Sequence, residues 1–167
     1  MLVQFLRPWV CQRVTLVLIL IAAWPLIRIQ AQTEPPKIVG TWRLNVAKSK
    51  FEPGPPVKSR TQKWEWDGET LQHTSETVNN DGSKSTAHFA AKFDGKPYPV
   101  FANGNEKEPA RFVRLKWIDS YSFESIPRET SGKENPPSTH LVSKDGKSFT
   151  IQQHSDAGNN FFVFEKQ

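Results

Sequence analysis

Leu71-Gln72-His73-Thr74-Ser75-Glu76-Thr77-Val78-Asn79-Asn80-Asp81-Gly82-Ser83-Lys84-Ser85-Thr86-Ala87-His88-Phe89-Ala90-Ala91-Lys92-Phe93 reads as two strands folded back on each other about Asp81-Gly82. Side chains alternate between the two faces of a strand, so a one-residue slip in register exchanges the faces. A two-residue Asp81-Gly82 turn sets His73 diagonal to His88 and carries Lys92 onto the inner face. A three-residue Asn80-Asp81-Gly82 turn, with Gly82 in the left-handed bulge position, brings Ala87, Phe89, Ala91 and Phe93 inward instead. Burying a lysine costs several kcal/mol, whereas each buried phenylalanine contributes about 2 kcal/mol. The three-residue register is therefore predicted, with His88 pointing outward.

The same punctuation recurs along the chain at Asp67-Gly68, Asp94-Gly95, Asn103-Gly104 and Asp145-Gly146. Between these pairs lie runs rich in Val, Thr, Phe, Trp and Tyr, which predict strands at 39–45, 59–66, 70–78, 85–93, 97–101, 111–118, 122–127, 139–144, 148–154 and 161–166. A two-residue turn at Asp67-Gly68 sets Trp64 opposite Leu71 and Gln62 opposite His73. Asp94-Gly95 sets Tyr98 opposite Ala91 and Val100 opposite Phe89, with Pro97 and Pro99 facing out, which marks this strand as short or bulged. Asp145-Gly146 sets Val142 opposite Phe149 and His140 opposite Ile151, and Val113, Leu115 and Trp117 share one face of their strand. No window sustains a 3.6-residue apolar period, and prolines from Pro53 to Pro137 interrupt most candidate helices, leaving room for one short helical turn at most. The predicted fold is all-β: an antiparallel up-and-down meander closing into a barrel of about 8–10 strands, because closure removes the exposed edges.

Before this domain, Arg7 and Arg13 precede the apolar run from Val14 to Trp24, which has the length and flanks of a signal-peptide core, with a cut after Ala31. Extension through Pro25-Leu26-Ile27, together with Ile29 as a poor −3 residue, leaves a retained anchor as the alternative. The organisation predicted is thus residues 1–31 as signal peptide, 32–37 as a proline-bearing flexible tether and 38–167 as the barrel, with an exported, periplasmic or extracellular location. Cys11 is the single cysteine and lies in the leader, so the mature domain relies on its core without a disulfide. Of the 22 basic residues Arg7, Arg13 and Arg28 leave with the leader, so 19 face 17 acids and the net charge falls from +5 to +2. With lysines and acids interspersed and no basic block, nucleic acid is not an expected partner.

Gly40-Thr41-Trp42 on the first strand resembles the G-x-W signature of lipocalins and their calycin relatives. The longer runs Gly40 to Phe51, Lys92 to Val100 and Ser143 to Lys147 resemble small exported bacterial lipocalin-like proteins of unknown function, and the similarity spans nearly the whole mature chain. The resemblance implies the barrel fold and the compartment, not a substrate. It also implies that Gly40 and Trp42 plug one barrel end, with Lys166 as the basic side chain stacked on the indole. The T-D-Y motif, the disulfide pair and a helix after the last strand are missing, and Val46 to Lys58 is too proline-rich for the helical lid of fatty-acid-binding proteins.

A nucleophilic hydrolase needs an activated serine or cysteine, and neither a G-x-S-x-G elbow nor a mature cysteine is present. His73, His88, His140 and His154 are spaced too widely for a short metal-ligand motif, and the register sends His73 and His140 inward and the other two outward; no cofactor or metal is expected. His73, among Trp64, Trp66 and Phe89, is either a ligand anchor or base, or a core histidine bonded to Gln62 across the hairpin. The inner aromatic set Trp64, Trp66, Phe89, Tyr98, Trp117, Phe123 and Phe149 either lines a cavity for a small apolar or aromatic ligand or fills the barrel. Three functions follow: a binding module without catalysis, a cell-envelope interaction or structural module using the loops Asn103 to Pro109 and Arg128 to Ser138, and an enzyme built on His73 with Tyr98.

Overall fold

The computed structural model describes residues 34–155 and 158–167, so the leader lies outside the described residues. Ten strands run in order: β1 Gly40–Leu44, β2 Ser59–Trp66, β3 Leu71–Val78, β4 Lys84–Ala91, β5 Tyr98–Ala102, β6 Arg111–Asp119, β7 Ser122–Arg128, β8 Ser138–Val142, β9 Ser148–Ser155 and β10 Gly158–Lys166. Each pairs antiparallel with its sequence neighbours, and β1 pairs with β10 to close the barrel. A single 3₁₀ turn, Val46–Lys48, is the one helical element among the described residues, capped by the Asn45 side chain, which accepts from Lys48 N at 3.0 Å. Among the described residues no helix is long and apolar enough to cross a membrane.

The β3–β4 hairpin takes the three-residue register, with His73 opposite Phe89 and Leu71 opposite Ala91. Gly82 has φ 89°, and its amide donates to the Asn79 carbonyl at 3.0 Å, so the glycine supplies the conformation that the bulge requires. The β8–β9 hairpin pairs His140 with Ile151 and Val142 with Phe149, as expected. The β4–β5 pairs Ala87 with Ala102 and His88 with Phe101 lie in the expected register too.

The β2–β3 hairpin departs from expectation. Trp66 pairs with Leu71 and Trp64 with His73, a shift of two residues from a tight Asp67-Gly68 turn. The Asp67 carboxylate is the cause: it accepts from the amides of Glu69 at 3.0 Å and Thr70 at 2.7 Å, which holds a longer connection together. Because the shift is even, every side chain keeps its face.

Odd and even connections fall at opposite ends of a meander, and the two ends differ here. At the end of the β2–β3, β4–β5, β6–β7 and β8–β9 turns the interior is filled with side chains: Trp42, Leu71, Leu115, Phe149 and Phe164 are fully buried, with Trp42 edge-on to Phe149 at 5.0 Å and Phe149 stacked on Phe164 at 4.5 Å. The entering segment crosses this end. Pro36 is buried, Lys37 N donates to Ser120 O at 2.8 Å, and the Trp42 indole donates to Ile38 O at 2.6 Å. Pro36 and Lys37, read from the sequence as the last residues of a tether, are thus fixed against this end of the barrel. At the opposite end the barrel is open.

Candidate functional site

The open end leads into a cavity of ≈ 820 Å³ bounded by β2, β3, β4, β6, β7, β9 and β10 and by Asn135 and Pro136 of the β7–β8 connection. It continues inward to a smaller compartment of ≈ 160 Å³ walled by Trp64, Phe89, Val100, Val113 and Ile151, with Ser125, Ser138 and His140 among them. Arg60, Gln62, His73, Arg111 and Phe162 line both spaces and form the waist between them. The β7–β8 connection is held in place by Asn135 N donating to Pro127 O at 2.9 Å and by Arg114 Nη2 bonded to Glu134 Oε2 at 2.6 Å.

His73 stands on β3 with its ring 4.2 Å from that of Trp64 and 4.9 Å from that of Phe89. The expected hydrogen bond to Gln62 is not made: the Gln62 carbonyl accepts from Trp64 Nε1 at 3.2 Å, and both His73 ring nitrogens are closed off without a partner. The indole takes the Gln62 side-chain oxygen, and Gln62 itself pairs with Ser75 across the hairpin. Burial pushes the His73 pKa down to about 3, with the nearby His140, Arg111 and Arg60 adding in the same direction. His140 is held down to about 3 by burial alone; its Nε2 meets Ser125 Oγ at 2.9 Å and its Nδ1 has no partner. Both imidazoles are neutral at physiological pH.

Arg60 and Arg111 were not anticipated as site residues, although their positions contain the signal. Arg60 precedes Gln62 and Trp64 on the inner face of β2, and Arg111 precedes Val113 and Leu115 on the inner face of β6. Arg60 Nε donates to Thr77 Oγ1 at 3.1 Å, and its guanidinium lies 5.2 Å from the Phe162 ring centroid. Desolvation lowers the pKa of both arginines, and the Arg111 charge lowers that of Arg60 further. Among the described residues no Asp or Glu lines either compartment.

Of the expected lining residues, Trp64, His73 and Phe89 border the cavity. Phe123 and Phe149 are buried in the filled part, Phe123 stacked on His140 at 4.4 Å. Trp66 and Trp117 both pack against Phe93, at 6.2 and 5.0 Å, and the Tyr98 hydroxyl donates to Asp94 Oδ2 at 3.0 Å. These five face inward at the wrong depth to reach the cavity, and Tyr98 does not accompany His73 there. Gly40, with φ 134°, lies against the Lys166 stem, and the Lys166 ammonium is 5.2 Å from the Trp42 ring centroid. Among the described residues no three His, Cys, Asp or Glu side chains gather as a metal site.

The architecture is that of a lipocalin-like barrel: ten antiparallel strands, closed, with one plugged end and one open end. The fluorescent protein UnaG has the same fold: its wild type matches at a TM-score of 0.53 and 14% identity over 78% of this chain and 98% of that one, and a point mutant at 0.55 and 12% over 78% and 96%. The REP1-NXSQ fatty acid transporter matches at 0.53 and 11% over 77% of this chain and 95% of its own. No family model matches the sequence, and no curated protein does.

Proposed function

We propose that this chain is an exported binding module whose barrel takes up a small molecule through its open end, with aromatic side chains holding the apolar part and no chemistry performed. The observation that carries this reading is the interior space of ≈ 820 and ≈ 160 Å³, continuous through a waist that ends on Trp64, His73 and Phe89. A packed envelope module would have a filled interior. Export rests on the apolar leader between Arg13 and Arg28. That a fatty acid transporter shares this fold is in keeping with the reading.

Trp64 forms part of the deep wall, so its emission reports on occupancy. Titration with a panel of lipids and aromatic compounds is expected to quench or shift tryptophan fluorescence for at least one class, and Trp64→Phe removes most of that change. A panel that leaves the emission untouched counts against a ligand site.

A further inference from the structure

We propose that the molecule held in this barrel is a small aromatic carboxylate, with its carboxylate between Arg60 and Arg111 and its ring in the deep compartment. The inference rests on the binding reading above and adds the chemistry of the ligand.

Charge supplies the first part. Arg60 reaches the waist from β2 and Arg111 from β6, while no carboxylate of the described residues lines the two compartments. Neither arginine belongs to an ion pair among the described residues, whereas Arg114 on the outer face of the same β6 has Glu134. Like charges brought together on a partly desolvated wall repel, and an anion between them converts that repulsion into two attractions. The planar guanidinium fork matches a carboxylate with paired hydrogen bonds. Arg60 is held for this by Thr77 on one side and the Phe162 ring on the other.

Size and surface supply the second. The deep compartment is ≈ 160 Å³, and an apolar cavity of about 150 Å³ accommodates benzene. Its walls include the rings of Trp64, His73 and Phe89, and aromatic walls suit stacked or edge-on contact with another ring. A long alkyl chain finds no such depth, because Phe123, Phe149 and Phe164 fill the barrel beyond.

The test compares phenylacetate, phenylacetamide and palmitate on the purified chain by tryptophan fluorescence and calorimetry, then repeats the acid and amide with Arg60→Gln and Arg111→Gln. Phenylacetate is expected to bind about tenfold to a hundredfold more tightly than its neutral amide. Each arginine substitution brings the acid toward the level of the amide, and an unchanged far-ultraviolet circular dichroism spectrum shows that the variant barrel is intact. Equal affinity for acid and amide, or arginine variants that hold the acid as tightly as the parent, overturns the carboxylate assignment while leaving the barrel a binding module. Palmitate binding more tightly than phenylacetate overturns the aromatic assignment. Failure of these compounds and of the wider panel overturns both.

Discussion

At the scale of single residues, His73 combines a costly environment with no compensating bond. Both its nitrogens are closed off and unpartnered, and leaving a buried polar group unpaired costs about 1–3 kcal/mol. Replacing such a group with an apolar one of similar shape removes the penalty, so His73→Phe is expected to stabilise the empty barrel by about 1 kcal/mol at neutral pH, measured by urea unfolding. Its titration predicts a pH signature as well. The imidazoles of His73 and His140 remain neutral in the folded chain down to about pH 3 but become protonated in the unfolded chain below their ordinary value of 6.5. Between those limits the unfolded state binds more protons, so stability is level above pH 6.5 and falls as pH drops through the window. Asp67, Asp81 and Asp145, whose pKa values are lowered by hydrogen bonds to nearby backbone and hydroxyl groups, add their own loss only nearer their ordinary range of about 4. The fall between pH 6.5 and 4.5 therefore belongs to the histidines, and His73→Phe is expected to make it shallower. An unchanged slope together with lost stability indicates a bonded His73 and contradicts this geometry.

At the scale of the element, the hairpin is the unit that the sequence describes best. The Asp-Gly pairs and the alternation of apolar residues reveal all ten strands, and a single energetic choice between a buried lysine and buried phenylalanines sets the β3–β4 register correctly. The miss at Asp67-Gly68 is instructive because the residue that signals a tight turn is the one that lengthens it, through its own carboxylate. Alternation predicts which face a side chain takes but not its position along the barrel axis. For that reason Trp117, Tyr98 and Phe123 are inward but do not line the cavity, while Arg60 and Arg111 escape notice on strand positions where charge ordinarily means solvent. The β1 element makes a further prediction. A side chain at Gly40 meets the Lys166 stem at 3.1 Å at φ 134°, so Gly40→Ala is expected to cost about 1–3 kcal/mol. Lys166→Ala, which removes only an exposed cation above Trp42, is expected to cost less than 1 kcal/mol. Equal effects of the two changes in thermal unfolding contradict a backbone role for the glycine.

At the scale of the whole molecule, the barrel is half core and half vessel. Its plugged end buries Trp42, Phe149 and Phe164, and their burial contributes to the cohesion that a domain lacking disulfides needs. Its open end holds two arginines outside any ion pair among the described residues and two imidazoles with unbonded nitrogens. The two halves divide stability and function along the barrel axis, so substitutions at the cavity waist should alter binding with small changes in unfolding, and those around Trp42 the reverse. Mass spectrometry of protein purified under native conditions from its source tests the vessel most directly. The account predicts an added mass on the folded chain that leaves on denaturation and proves to be a small organic anion. A folded chain that carries its bare mass, and still carries it after incubation with the ligand panel, contradicts it.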